Sequence, residues 1–170
     1  MRLWTVQDRA VLDSLETDGE LTGDWARLPV SSYRPVYEEM VAEMARRGLD
    51  CRGRPPVWAW LGPDTRDNAV AVTAEALLCP ETDEEYARYI ILDLDVPDER
   101  VLLSSYGRWN DFMEAILLGG RQTTMDWSID REELAGVQAC LPRVPARYVL
   151  GTRPLEPFDP EKEEDEDDDF

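Results

Sequence analysis

The stretch Tyr86-Ala87-Arg88-Tyr89-Ile90-Ile91-Leu92-Asp93-Leu94-Asp95-Val96 decides the fold class. Within it Ile90, Leu92, Leu94 and Val96 alternate with Tyr89, Ile91, Asp93 and Asp95. A period of two puts successive side chains on opposite faces of a strand, so residues 86–96 read as β. Pro97-Asp98 then turns the chain, and Val101-Leu102-Leu103 resumes the extended run. Working back, Val57-Trp58-Ala59-Trp60-Leu61 lies between Pro55-Pro56 and Gly62-Pro63 and reads as a buried strand. Residues 2–6 make a short first strand, and residues 147–150 a last one.

Helical periods fill the gaps. Tyr33, Val36, Tyr37, Met40, Val41, Met44 and Ala45 recur on one face of a 3.6-residue repeat. Ser31 or Ser32 is placed to cap that helix, Pro35 sits in its first turn and Gly48 ends it. Ala10, Val11, Leu12 and Leu15 predict a shorter helix over residues 8–16. Trp109, Phe112, Met113, Ile116 and Leu117 predict a third, capped at Ser104 or Ser105 and stopped at Gly119-Gly120. After Trp127 two readings stand. Asp130-Arg131-Glu132-Glu133 is a possible capping box opening a helix, while Val137, Ala139 and Leu141 alternate as a strand that Pro142 ends. Residues 64–83 give no clear period.

The predicted fold class is α+β: a small bent or split mixed β-sheet with flanking helices. Residues 1–153 form the expected single domain. Residues 154–170, rich in Pro, Glu and Asp, are expected to be a disordered acidic tail, since they cannot bury enough apolar area to offset their ordering entropy.

The formal net charge is −19, and residues 156–170 hold about −9 of it. The body is acidic as well. Nucleic-acid binding rests on Lys/Arg neutralising phosphate, so this balance argues against unaided DNA or RNA binding. It suits engagement of a basic protein partner. No apolar run is long enough to span a bilayer, and a charge interrupts the N-terminus before a secretory segment can form. Cys51, Cys79 and Cys140 are odd in number and far apart, which fits reduced thiols and a cytoplasmic protein.

The chain has no histidine. Ser-His-Asp and Cys-His catalysis and histidine-ligated metal sites are therefore excluded. No Walker A loop, Gly-x-Gly-x-x-Gly or EF-hand loop is present, and no metal site is expected. Asp93 and Asp95 share a strand face where Mg²⁺ would find two carboxylates, but a solvated strand face is the simpler reading. Trp58 and Trp60 also share a strand face. With Trp4 they are candidates to line an aromatic cleft, or else to fill the core.

Three stretches carry a resemblance: Leu3-Trp4-Thr5-Val6-Gln7; Pro56-Val57-Trp58-Ala59-Trp60; and Val96-Pro97-Asp98-Glu99-Arg100-Val101-Leu102-Leu103-Ser104 followed by Trp109. Together they resemble the bacterial family called domain of unknown function 3841, over roughly residues 1–150. Val137-Gln138-Ala139-Cys140-Leu141 looks like that family's closing strand, which tips the open segment toward β. The chain departs from the family pattern at Ser105-Tyr106 and Asn110. The resemblance brings no activity with it.

The order of elements is more distantly similar to ADP-ribosyltransferases of the DarT type, which modify DNA using NAD⁺. That resemblance implies an ADP-ribosyltransferase-like fold and five ligand-binding candidates: Gln7 and Arg66 as polar contacts, Trp4 and Trp58 as stacking walls, and Gln138. It also implies that Cys140 stands where the catalytic glutamate is expected, and Thr5 where a histidine would hold the nicotinamide ribose. A thiol does not stabilise the cation formed as a glycosidic bond breaks, so the expected activity is altered or lost. Three functions follow as expectations: an NAD⁺- or nucleotide-binding domain of this kind, a non-enzymatic acidic interaction module, or an enzyme using Glu133 or Asp93 instead.

Overall fold

The computed structural model describes residues 1–28, 31–62, 77–119, 124–129 and 136–159. Strands β1 (Arg2–Asp8), β3 (Val57–Leu61), β4 (Tyr89–Asp95), β5 (Leu102–Ser105), β6 (Val137–Leu141) and β8 (Val149–Pro154) form a six-stranded sheet in the order β5-β6-β3-β1-β4-β8. Two short strands, β2 (Glu20–Leu21) and β7 (Val144–Pro145), pair apart from it. The helices are α1 (Val11–Thr17), α2 (Arg34–Arg46), α3 (Asp83–Ala87) and α4 (Tyr106–Leu117). The architecture is α+β, with helices flanking the sheet.

A mixed sheet is expected from the sequence, but every strand pairing recorded among the described residues is antiparallel. The alternation in residues 89–96 belongs to this arrangement. Antiparallel strands need not read as the continuous apolar runs that parallel strands, buried on both faces, present. The boundaries follow local chemistry. Ser105 Oγ accepts the Arg108 N–H at 3.4 Å and starts α4. Gly48 at φ +79° ends α2 in the left-handed region that a glycine enters without steric cost. The N-cap position of α2 is Tyr33, with no side-chain capping bond, where the sequence suggests Ser31 or Ser32. Residues Ser31–Tyr33 form a 3₁₀ turn that runs directly into the helix.

Residues 86–88, expected as strand, instead belong to α3 and its end. Thr82 accepts the Glu85 N–H while the Glu85 carboxylate accepts the Thr82 N–H, a reciprocal capping box that starts a helix. Tyr86 is buried from that helix, which explains why it reads as a strand residue. The last strand begins at Val149, and its partner is β4. Beyond it Leu155 is still buried, against Trp4, Tyr86 and Ile91.

The sheet is packed on both sides, though Asp93 and Asp95 leave part of the second face exposed. One face carries Leu3, Ala59, Leu92, Leu94, Ala139 and Leu141, under α1 and the β2–β7 pair. The opposite face, at the β5-β6-β3 end, packs Leu102 and Cys140 against Val36, Met40 and Met44 of α2 and Trp109 and Phe112 of α4. Each such aliphatic or aromatic side chain contributes roughly 1.5–3 kcal/mol by leaving water. Met40, Met44 and Phe112 are fully enclosed, so a truncation here leaves a cavity. Phe112→Ala is expected to lower the unfolding free energy by about 3–5 kcal/mol, read as a lower urea midpoint at unchanged slope.

Candidate functional site

The sheet opens at one place. β1 pairs with β4 along its whole length, from Arg2↔Asp95 to Asp8↔Tyr89. Against β3 the register covers only Leu3↔Leu61 and Trp4↔Trp60. Beyond Trp4 the two strands part, and the side chain of Thr5 spans the opening: its Oγ1 donates to the Trp58 carbonyl at 2.5 Å. Gln7 Nε2 in turn donates to Thr5 Oγ1 at 2.8 Å. Thr5 is buried, so this short polar chain replaces backbone bonds that the parted strands no longer make.

The opening leads into a groove of about 480 Å³. Gln7, with Val11 and Ser14 of α1, forms one wall; Trp58 and Tyr37 form another. The floor and rim come from the loop after β2 and from residues 54–56 before β3. These two loops touch where a side chain has no room: a Cβ on Gly23 would meet the Pro55 carbonyl oxygen at 2.1 Å. Arg54 Nη1 donates to the Gly23 carbonyl at 3.4 Å across the same junction. Arg27 and Arg54 also line the groove.

The aromatic wall is rigid. Tyr37, Trp58 and Trp109 form a three-ring cluster with centroids 5.4–5.7 Å apart. Burial, aided by the neighbouring Cys140, Tyr106 and Tyr33, pushes the Tyr37 phenol well above its ordinary range, so it stays a neutral hydrogen-bond donor. Trp58 Nε1 is buried and has no hydrogen-bond partner among the described residues.

Of the five ligand candidates, the groove brings together Gln7 and Trp58. Trp4 is buried on the sheet face away from Gln7, where its ring lies 6.1 Å from that of Trp60. Gln138 is fully enclosed and donates through Nε2 to Ser104 Oγ at 2.7 Å, while its Oε1 has no partner among the described residues. Arg66 and Glu133 lie outside the described residues. Asp93 is engaged by Arg153, whose Nε lies 3.2 Å from its carboxylate. Cys140, at the position of the expected glutamate, lies opposite Trp58 and Leu102 beneath α2 and α4. No group of three or more His, Cys, Asp or Glu among the described residues is placed to hold a metal ion, and no helix among them is long and apolar enough to cross a membrane.

Tyr37, Arg27 and Arg54 are absent from the sequence candidates. Tyr37 sits in the apolar repeat of α2 and reads as core. The arginines carry no motif, and only the folded chain brings them to Gln7.

A family model described as a domain of unknown function, DUF3841, matches residues 2–122. The chain belongs to this family. The DUF3841 match takes in both walls of the groove and ends after α4, so β6, including Gln138 and Cys140, lies beyond it. No curated protein and no solved structure matches the chain.

Two outcomes are expected from this geometry. Burial holds the Cys140 thiol far above its ordinary range and pushes Cys51 up to about 11, whereas Cys79 is exposed. At pH 8 a thiol-specific chromogenic disulfide should therefore react at Cys79 alone in the folded protein, and at all three thiols after denaturation. Thr5→Val keeps the shape but strands the Trp58 carbonyl and the Gln7 amide, and should cost about 1–3 kcal/mol in urea unfolding.

Proposed function

We propose that this DUF3841 protein binds NAD⁺ or a related nucleotide in the groove where β1 and β3 part, with transfer chemistry altered or lost. The observation that carries the reading is that Gln7 and Trp58, far apart in sequence, face the same groove. Its volume falls within the ~300–1,000 Å³ common for small-molecule sites. Its chemistry suits a nucleotide. Trp58 and Tyr37 offer aromatic surface to a flat base. The Gln7 amide and the neutral Tyr37 phenol offer hydrogen bonds, and Arg27 and Arg54 offer positive charge.

Two neighbouring residues, Cys140 and Thr5, argue for binding without ordinary ADP-ribosyl transfer. Breaking the nicotinamide glycosidic bond develops positive charge that an adjacent carboxylate stabilises. By the resemblance to DarT-type enzymes that carboxylate belongs where Cys140 stands, and Cys140 is buried and held as the thiol. Thr5, in the place of a histidine, is committed to the Trp58 carbonyl.

Thermal unfolding of the full chain with and without millimolar NAD⁺ tests the reading. A ligand that binds only the folded state at ~100 Kd adds about 2.7 kcal/mol, which for a chain of this size raises Tm by roughly 5–10 °C. Gln7→Ala and Trp58→Phe should shrink that shift while each variant still melts cooperatively on its own. No shift with NAD⁺, ADP or AMP at millimolar concentration would overturn the proposal and leave the acidic interaction module as the better account.

A further inference from the structure

A second cavity, of about 350 Å³, adjoins the groove, and the two share Asp18, Thr22 and Arg54 as lining residues. Arg52, Arg54 and Arg143 are three of its lining residues. Arg143 is the unusual one. Its Nη1 is buried and has no hydrogen-bond partner among the described residues. The carboxylate nearest it, Glu20, lies 3.7 Å from its Nε, beyond hydrogen-bonding reach. Arg143 thus keeps Glu20 as its ion-pair partner and is 26% exposed, while Nη1 is a buried donor without a hydrogen bond; an acceptor oxygen that reaches it would relieve the cost of that missing bond.

Arg52 and Arg54 are held on a turn that is fixed from several sides. The Arg54 N–H donates to the Cys51 carbonyl at 3.0 Å, closing the turn. The Asp50 carboxylate accepts the Arg52 N–H at 2.7 Å, and Trp25 Nε1 donates to the Gly53 carbonyl at 2.7 Å. The turn holds Arg52 at φ +52°, a left-handed conformation that costs a non-glycine residue energy.

Acidic groups are present, but most are committed. Asp50 is bonded to the turn, Asp24 accepts the Ala26 N–H, and Glu20 is shared between Arg52 at 3.5 Å and Arg143. Across the two cavities Arg27, Arg52, Arg54 and Arg143 match Asp18, Glu20, Asp24 and Asp50 in number. The strip is thus formally neutral in a chain whose net charge is −19. It is a place where an anion meets donors without net repulsion from its immediate surroundings.

We infer that this second cavity is an anion subsite continuous with the groove, and that Arg143, Arg52 and Arg54 take the phosphate groups of a ligand whose base lies against Trp58 and Tyr37. The inference rests on the nucleotide reading for the base, and on the three arginines of the cavity and the unbonded Nη1 of Arg143 for the phosphates. Planar guanidinium groups suit phosphate oxygens, and the shared Arg54 joins the two halves.

Calorimetric titration of the full chain with adenosine, AMP, ADP and inorganic pyrophosphate separates the two halves. ADP should bind at least about tenfold more tightly than adenosine, the equivalent of one charge-assisted hydrogen bond. Arg143→Gln should remove that advantage and leave adenosine affinity unchanged. Arg52→Gly removes a guanidinium at a position where glycine fits the φ, so it keeps the test usable if Arg143→Gln folds poorly; it should weaken ADP but not adenosine. Equal affinity for adenosine and ADP in the unaltered protein would overturn the anion subsite while the base-binding groove stands. Pyrophosphate binding that is lost in Arg143→Gln, with no adenosine binding, would support the subsite and overturn the nucleotide reading. Binding of none of the four would overturn both.

Discussion

The hydrogen bond from Thr5 Oγ1 to the Trp58 carbonyl stands at the junction on which the rest of the molecule is arranged. Along one edge, β1 keeps an unbroken ladder with β4; along the other it releases β3 after Trp4. A sheet that opens mid-strand exposes backbone polar groups, and those must find partners. Here a threonine hydroxyl reaches across and a glutamine amide reaches back to it. The opening is therefore a stable feature of the fold, and the residues beside it become walls instead of core.

Each face of the sheet contributes differently to that opening. The face under α1 is aliphatic, and its packing places Val11 near Gln7. The other face is aromatic, and the Tyr37–Trp58–Trp109 cluster ties β3 to α2 and α4 at once. Trp58 is thus a structural anchor and a groove wall together. Of the three tryptophans that the sequence offers to a cleft or to the core, Trp4 is buried beside Trp60, whereas Trp58 keeps part of its surface in the groove.

Local pattern made much of the fold legible. Residues 57–61 form the strand that their flanking prolines and glycine mark out, and the apolar repeats of α2 and α4 bury Val36, Met40, Met44, Trp109 and Phe112 but leave Ala45 and Leu117 exposed. The short helix α3 was harder to see. Its capping box at Thr82 and Glu85 is present in the sequence, but Tyr86 continues the apolar run of the next strand and hides the boundary. Strand direction was not legible, because an alternating segment states which side chains share a face and says nothing of its neighbour's sense. The groove was legible only in part. Gln7 and Trp58 could be picked out by resemblance, but Tyr37 reads as core, and Arg27, Arg54 and Arg143 become a site only through contacts between distant segments. Gln138 shows the converse: a polar residue singled out by pattern, yet enclosed with Ser104 inside the sheet.

The β1–β4 ladder also governs how this chain must acquire its structure. Arg2 pairs with Asp95, and the Met1 nitrogen donates to the Val96 carbonyl 95 residues away. The strand at the middle of the sheet therefore has no local hairpin partner, and a large loop must close before its first cross-strand bond forms. Closing such a loop loses entropy before any contact offsets it, which slows the formation of this pairing. Until β3 and β4 arrive, β1 is an unpaired strand with Trp4 and Val6 uncovered, a segment open to pairing with other chains. The architecture that gives the folded protein its central opening thus leaves the first strand of the unfinished one waiting on partners far along the chain.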